Sequence, residues 1–132
     1  MVQNEKDLLL KDLCYRLPYG VKAQVYNHWR DDIQDETITI ENLHQLIETF
    51  SIKDIKPYLF PLSSMTEDQK NEYYSIVNYI SSDDTENWKE GEFIYVDQFS
   101  SLIHFYHINH LDYLGLIPKG LAIDATGLNI YK

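Results

Sequence analysis

The chain reads as a single α+β domain, about four helices and a small, mainly antiparallel sheet packed as one compact unit over residues 1–132. Three observations predict this. Apolar side chains recur at helical spacing in four separate segments, short alternating or β-branched segments lie between them, and no βαβ period, internal repeat or low-complexity tract is present. A domain of this length buries roughly two thirds of its unfolded surface, so a hydrophobic core suffices without disulfide or metal staples.

Asn4 is placed to cap a first helix, in which Leu9, Leu10, Leu13, Cys14 and Leu17 share an apolar face while Lys11, Asp12 and Arg16 fall elsewhere on the wheel. That face turns Cys14 toward the core. Pro18-Tyr19-Gly20 stops the helix, and Val21, Ala23 and Val25 then alternate with Lys22, Gln24 and Tyr26, predicting a half-buried strand over 21–27. Polar residues 28–36 are expected to form a loop, and β-branched Thr37-Ile38-Thr39-Ile40 the second strand of a hairpin. Leu43, Leu46, Ile47 and Phe50 have the spacing of a short helix. The apolar segment Ile55 to Leu62 carries Pro57 and Pro61, which predict an edge strand or an extended connection.

Thr66 followed three residues on by Gln69 is a capping box, opening a helix with Tyr73, Ile76, Val77 and Ile80 on its apolar face. Residues 81–92 are polar and acidic apart from Trp88, so a surface loop anchored in the core by that tryptophan is expected. Asp97 is placed to cap a last helix through Phe99, Leu102, Ile103 and Tyr106, ending near the Leu111 to Gly115 segment. Leu121 to Asp124 and Leu128 to Tyr131, joined by a turn at Ala125-Thr126-Gly127, predict a closing hairpin.

Charge narrows the function classes. The formal net charge is −10, and residues 67–132, with 4 basic and 11 acidic side chains, are more acidic than residues 1–66, with 7 and 10. Such a surface repels phosphate backbones, which argues against direct nucleic-acid binding and leaves, on the nucleic-acid side, only an acidic DNA mimic that occupies a DNA-binding protein. The lone Cys14 rules out an intrachain disulfide and any intrachain zinc site built on two cysteines. No apolar run approaches the ~18 residues of a membrane span, and the start lacks the basic and apolar regions of a secretory signal. A soluble cytoplasmic protein without a membrane partner is the expectation.

The densest chemistry is Ser101 to Tyr113, which holds His104, His107 and His110, the candidate metal ligands. On a helix adjacent members lie about 60° apart, so two of the three share a face but all three span about 120°. The two-histidine helix motif of metallohydrolases uses i and i+4 with a glutamate between, and that glutamate is missing. A further ligand would have to come from Asp112, His28 or His44, which no spacing rule brings in. Measured from Phe99, His110 lies about 20° away, His107 about 80° and His104 about 140°, which grades them as core, boundary and solvent residues.

Other signatures are weaker. Cys14 on an apolar face is an inert thiol, no Gly-x-Ser-x-Gly elbow surrounds Ser63, Ser64, Ser100 or Ser101, and Gly115 to Gly120 lacks the Gly-Lys-Ser/Thr of a phosphate loop. Asp124-Ala125-Thr126-Gly127 misses the Asp-Thr-Gly of aspartic proteases by one residue and reads as a turn. Asp31-Asp32 and Asp83-Asp84 read as solvated charge. No catalytic residue and no cofactor follow.

Lys11 to Val21 (KDLCYRLPYGV), Asp54 to Thr66 (DIKPYLFPLSSMT) and His110 to Ile117 (HLDYLGLI) together resemble a group of small proteins of no known activity from gut Bacteroides-type bacteria and their phages. The likeness covers most of the chain in that order and is weakest between Val25 and Lys53. Two positions depart from the group's pattern: Leu114 stands where the group has an arginine, and Asn109-His110 where it has adjacent histidines. His104 and His107 are therefore not carried over as group features. The resemblance implies a small accessory or mobile-element protein.

The function expected is thus a non-enzymatic interaction or regulatory module that binds another protein through aromatic side chains inside an acidic rim. Tyr73, Tyr74, Trp88, Tyr106 and Tyr113 are the candidate contacts, since aromatics dominate interface energetics when the core does not use them. The alternatives are a metal-dependent hydrolase built on His104, His107 and His110, and the DNA mimic.

Overall fold

A computed structural model describes residues 3–49, 51–81 and 100–131. Phe50, Asp83, Asp84, Trp88, Asp97 and Phe99 lie outside the described residues, as does the loop expected over 82–92.

The described chain forms four helices and five strands, α1 (Gln3–Arg16), β1 (Lys22–Asn27), β2 (Asp32–Thr37), α2 (Ile40–Thr49), β3 (Ile55–Pro61), α3 (Glu67–Ser81), α4 (100–108), β4 (Leu111–Asp112) and β5 (Ile123–Asp124). The sheet order is β2-β1-β3-β4, with β5 also on β3. β1 pairs antiparallel with β2 and β3, whereas the two-residue β4 and β5 run parallel to β3. This is the predicted α+β architecture.

The core lies between the sheet and helices α1 and α2. Leu9 and Leu13 of α1, Ala23 and Val25 of β1, Ile38, Ile55, Leu59 and Leu116 are fully buried, and Leu43 and Leu46 of α2 nearly so. Two capping motifs set the helix starts. The Thr66 hydroxyl accepts from Gln69 N while the Gln69 side chain accepts from Thr66 N, and Thr39 and Asn42 make the same reciprocal pair at α2. Each such cap contributes about 1 kcal/mol.

Five local expectations differ from the structure. β2 starts at Asp32 and ends at Thr37, so only residues 28–31 turn and the hairpin is tighter than its polar composition suggested. Cross-strand pairing with an apolar β1 overrides low strand propensity. β3 is interior, not an edge. Its prolines fit because Pro57 is the last residue of the ladder to β1 and Pro61 the last of the strand, positions where a missing N–H costs least. The closing hairpin does not form: Ile123 and Asp124 pair with Tyr58 and Leu59, and Leu128 to Tyr131 returns as a strap that reaches Lys22. The last helix stops at 108, where His110 takes a left-handed φ of 55°, rather than near Leu111 to Gly115.

The fifth difference shapes everything below. The buried residues of α1 are Leu9, Asp12, Leu13 and Arg16, so the helix is turned by roughly 80° from the face its apolar residues define. Cys14 is exposed, not in the core, and Leu10 is 38% exposed. Two charged side chains take the places of two apolar ones.

Candidate functional site

Asp12 and Arg16 meet inside the protein, Arg16 Nε donating to Asp12 Oδ2 at 2.9 Å with both side chains fully buried. Helical i, i+4 spacing makes the pair; tertiary structure buries it. Arg16 Nη2 also donates to the carbonyl of Leu111 at 2.6 Å, tying α1 to β4 across 95 residues of sequence, and its guanidinium carbon stands 5.4 Å from the centre of the Tyr113 ring. Desolvation pushes the Asp12 carboxyl above its usual range although the Arg16 guanidinium beside it pulls the other way.

His107 and His110 lie near enough to feel the Arg16 charge, and each of the three histidines meets a tyrosine. His104 Nδ1 and the Tyr19 hydroxyl are 2.9 Å apart, as are His107 Nε2 and the Tyr113 hydroxyl, and His110 stacks face to face on Tyr131 with centroids 3.7 Å apart. The predicted gradient is reordered. His107, only 4% exposed, is the core histidine; His110 sits half-buried in the turn beyond the helix; His104 is exposed as expected. Burial, followed by the positive Arg16, lowers both His107 and His110 to about 4, so both imidazoles are neutral at pH 7.

The rings point to three separate tyrosines and do not share a centre. Among the described residues no group of three or more His, Cys, Asp or Glu side chains is arranged to hold a metal ion. The further ligands considered are engaged elsewhere: both Asp112 oxygens accept backbone N–H groups, from Leu116 and Ile117, His28 contacts Asp54 at 2.9 Å, and His44 contacts Glu48 at 3.1 Å. Asp124 accepts from both the N–H and the hydroxyl of Thr126, which holds its carboxyl below the usual range and makes the Asp-Ala-Thr-Gly segment a turn.

The aromatic candidates do assemble. Tyr73 lies 5.6 Å from Tyr74 and 6.4 Å from Tyr106, and Tyr106 stacks on Tyr113 at 4.8 Å and 10°. From Tyr113 the run passes to His107 at 5.5 Å, then to Tyr19 at 5.4 Å and His104. Four of the five predicted contacts thus join one aromatic run between α3, α4 and the turn after β4. Its outer members are open: Tyr74 is 56% exposed, and Tyr15, 6.3 Å from His107, is 50% exposed. Glu67, Asp68 and Glu72, on the helix that carries Tyr73 and Tyr74, are exposed.

Sequence reasoning missed Asp12, Arg16, Tyr15, Tyr19 and Tyr131. The one local signal was the opposite charge at Asp12 and Arg16, which on most helices marks a solvated pair. Tyr131 is the least expected: its hydroxyl donates to the Tyr58 carbonyl at 2.6 Å and accepts from Lys22 N at 2.9 Å, and burial pushes it up to about 12.

No helix among the described residues is long and apolar enough to cross a membrane. No protein-family model matches the chain, and neither the curated proteins nor the solved structures compared with it include a match.

Proposed function

We propose that this protein is a non-enzymatic interaction module, of the accessory or mobile-element kind that its sequence resembles, and that it binds another protein through the aromatic run centred on Tyr106. The observation that carries this reading is the stack of Tyr106 on Tyr113 continued by Tyr73 to the exposed Tyr74. Rings held by ring neighbours lose little conformational freedom on binding, and a partly exposed tyrosine offers both an apolar face and a hydroxyl. Buried Phe105, 6.2 Å from Tyr73 and 6.0 Å from Tyr106, backs the run from the core side. A metal-dependent hydrolase gains no support from imidazoles engaged with three different tyrosines.

The test is site-specific photocrosslinking in the native host, with a benzophenone side chain at position 74 and, as control, at exposed Asp7. One partner should be captured at 74 and lost when Tyr106 is changed to alanine. The partner, once purified, should bind the wild-type chain at least tenfold more tightly than Tyr74→Ala. Equal capture from both positions, or equal affinity, overturns the proposal.

A further inference from the structure

A second surface, independent of the aromatic run, lies on the far side of the sheet. β2 is the terminal strand, and among the described residues nothing pairs with its outer edge. The Ile38 N–H donates to the Val21 carbonyl at 2.8 Å, and the register Lys22↔Thr37 through Asn27↔Asp32 carries that phase along the ladder. Because hydrogen-bonded and non-hydrogen-bonded pairs alternate, residues 32, 34 and 36 address β1, and the N–H and C=O groups of Ile33, Asp35 and Thr37 point outward. The Thr37 carbonyl agrees with this phase, since it accepts from the Asn42 side chain instead of from β1.

Edge strands are usually blunted by proline, charged side chains (lysine above all), a bulge or extreme shortness. Of these β2 has only charge, Asp32, Asp35 and Glu36, which opposes a second acidic edge but not a basic strand. Its six pairs are continuous, it contains neither proline nor lysine, and Ile33 at an outward position is 56% exposed. Beside Ile33, on the β1 and β3 side of β2, the outer sheet face has a depression of about 290 Å³ lined by Gln24, Tyr26, Ile33, Asp54 and Lys56. Trp29, at the turn before β2, is 75% exposed.

Charge selects the occupant. Residues 30–36 carry Arg30 against Asp31, Asp32, Asp35 and Glu36, a net −3. Two copies meeting edge to edge would oppose −3 with −3, and like charges directly opposite in a ladder are destabilising. A basic strand meets the reverse situation.

We propose that the outer edge of β2 docks an extended, lysine- or arginine-bearing segment of another protein, which adds as a further strand through the N–H and C=O groups of Ile33 and Asp35 and the N–H of Thr37. Main-chain hydrogen bonds supply affinity, exposed Ile33 supplies the apolar contact, and the acidic residues select for basic sequences.

The probe is a synthetic octapeptide alternating lysine and valine, with its glutamate-valine counterpart as control, added to isotopically labelled full-length protein. The lysine peptide should slow amide exchange of Ile33, Asp35 and Thr37 at least tenfold, leave Tyr74 and Tyr106 resonances in place, and bind several-fold more weakly in 300 mM than in 50 mM salt. The double variant Asp32→Lys/Ile33→Lys, changed only at exposed side chains, should keep the wild-type circular dichroism and lose the protection. Four results overturn the proposal: amides already protected in the unbound protein at all concentrations, protection that grows with protein concentration alone, equal binding of the glutamate peptide, or shifts confined to the aromatic run.

Discussion

Replacing Arg16 by methionine keeps the length of the side chain and removes its charge from the fully buried pair with Asp12. Two consequences follow. The Asp12 carboxylate is left without a counter-charge, which for a buried pair costs about 3–5 kcal/mol, and the Leu111 carbonyl loses its 2.6 Å donor. Taking ~4 kcal/mol for the whole, against the ~5–15 kcal/mol stability of an ordinary domain, the variant should still fold at 25 °C. For a chain of 132 residues that loss lowers Tm by roughly 14 °C. The loss should also depend on pH. Without Arg16 the Asp12 pKa rises further above its unfolded value, so the folded state holds the extra proton between about pH 4 and the raised value, and stability falls as pH rises through that window. Calorimetry at pH 4 and pH 7 should therefore show the larger deficit at pH 7. The double variant Asp12→Leu/Arg16→Met, with no charge left to strand, should recover at least ~2 kcal/mol of the single variant's loss. A cost below ~1 kcal/mol, a deficit equal at both pH values, or a double variant no better than the single would each refute a buried, mutually dependent ion pair.

The remaining predictions concern its surroundings. His107 and His110 are lowered to about 4, so their neutral forms contribute stability that is complete above pH 6.5 and lost as pH falls toward 4. His107 alone accounts for up to about 3 kcal/mol, visible as a falling urea midpoint that flattens in His107→Phe; a midpoint unchanged between pH 6.5 and 4.5 would contradict it. Tyr131→Phe strands the Lys22 N–H and should cost ~1–3 kcal/mol, read from chemical denaturation, while keeping the ring on His110. Cys14 should react with a thiol reagent in the native protein at close to its rate in denaturant, because it faces solvent; a hundredfold protection would return it to the core.

Local rules reached far into the fold. The Thr66–Gln69 box, the α2 spacing and the alternation of β1 all depend on neighbours a few residues apart, and these expectations hold. The misses share a cause. Whether Asp12 and Arg16 face water depends on where the Leu111 carbonyl lies, 95 residues from Arg16, and whether β3 is central depends on β4 and β5, which arrive from the end of the chain. Neither distance leaves a trace in periodicity. The histidine gradient failed because it assumed one buried face centred on Phe99, whereas among the described residues of α4 burial falls on Phe105 and His107, about 160° apart on the wheel, and His110 has already left the helix.

By itself the sequence determined the α+β class, the start of α3 and an acidic, tyrosine-rich character, because these follow from periodicity, capping chemistry and composition, whereas Asn4, expected to cap α1, lies inside that helix. Only the tertiary structure decided that a charged pair occupies the core face of α1 and that three histidines are matched with three tyrosines instead of with one another. It alone made β2 the terminal strand among the described residues, with the N–H and C=O groups of Ile33, Asp35 and Thr37 turned outward. The physical reason is common to all three. A buried charge is retained where its hydrogen-bond partners are, a neutral imidazole where a ring or hydroxyl meets it, and an edge where no further strand arrives, and each of these conditions is set by residues distant in the chain.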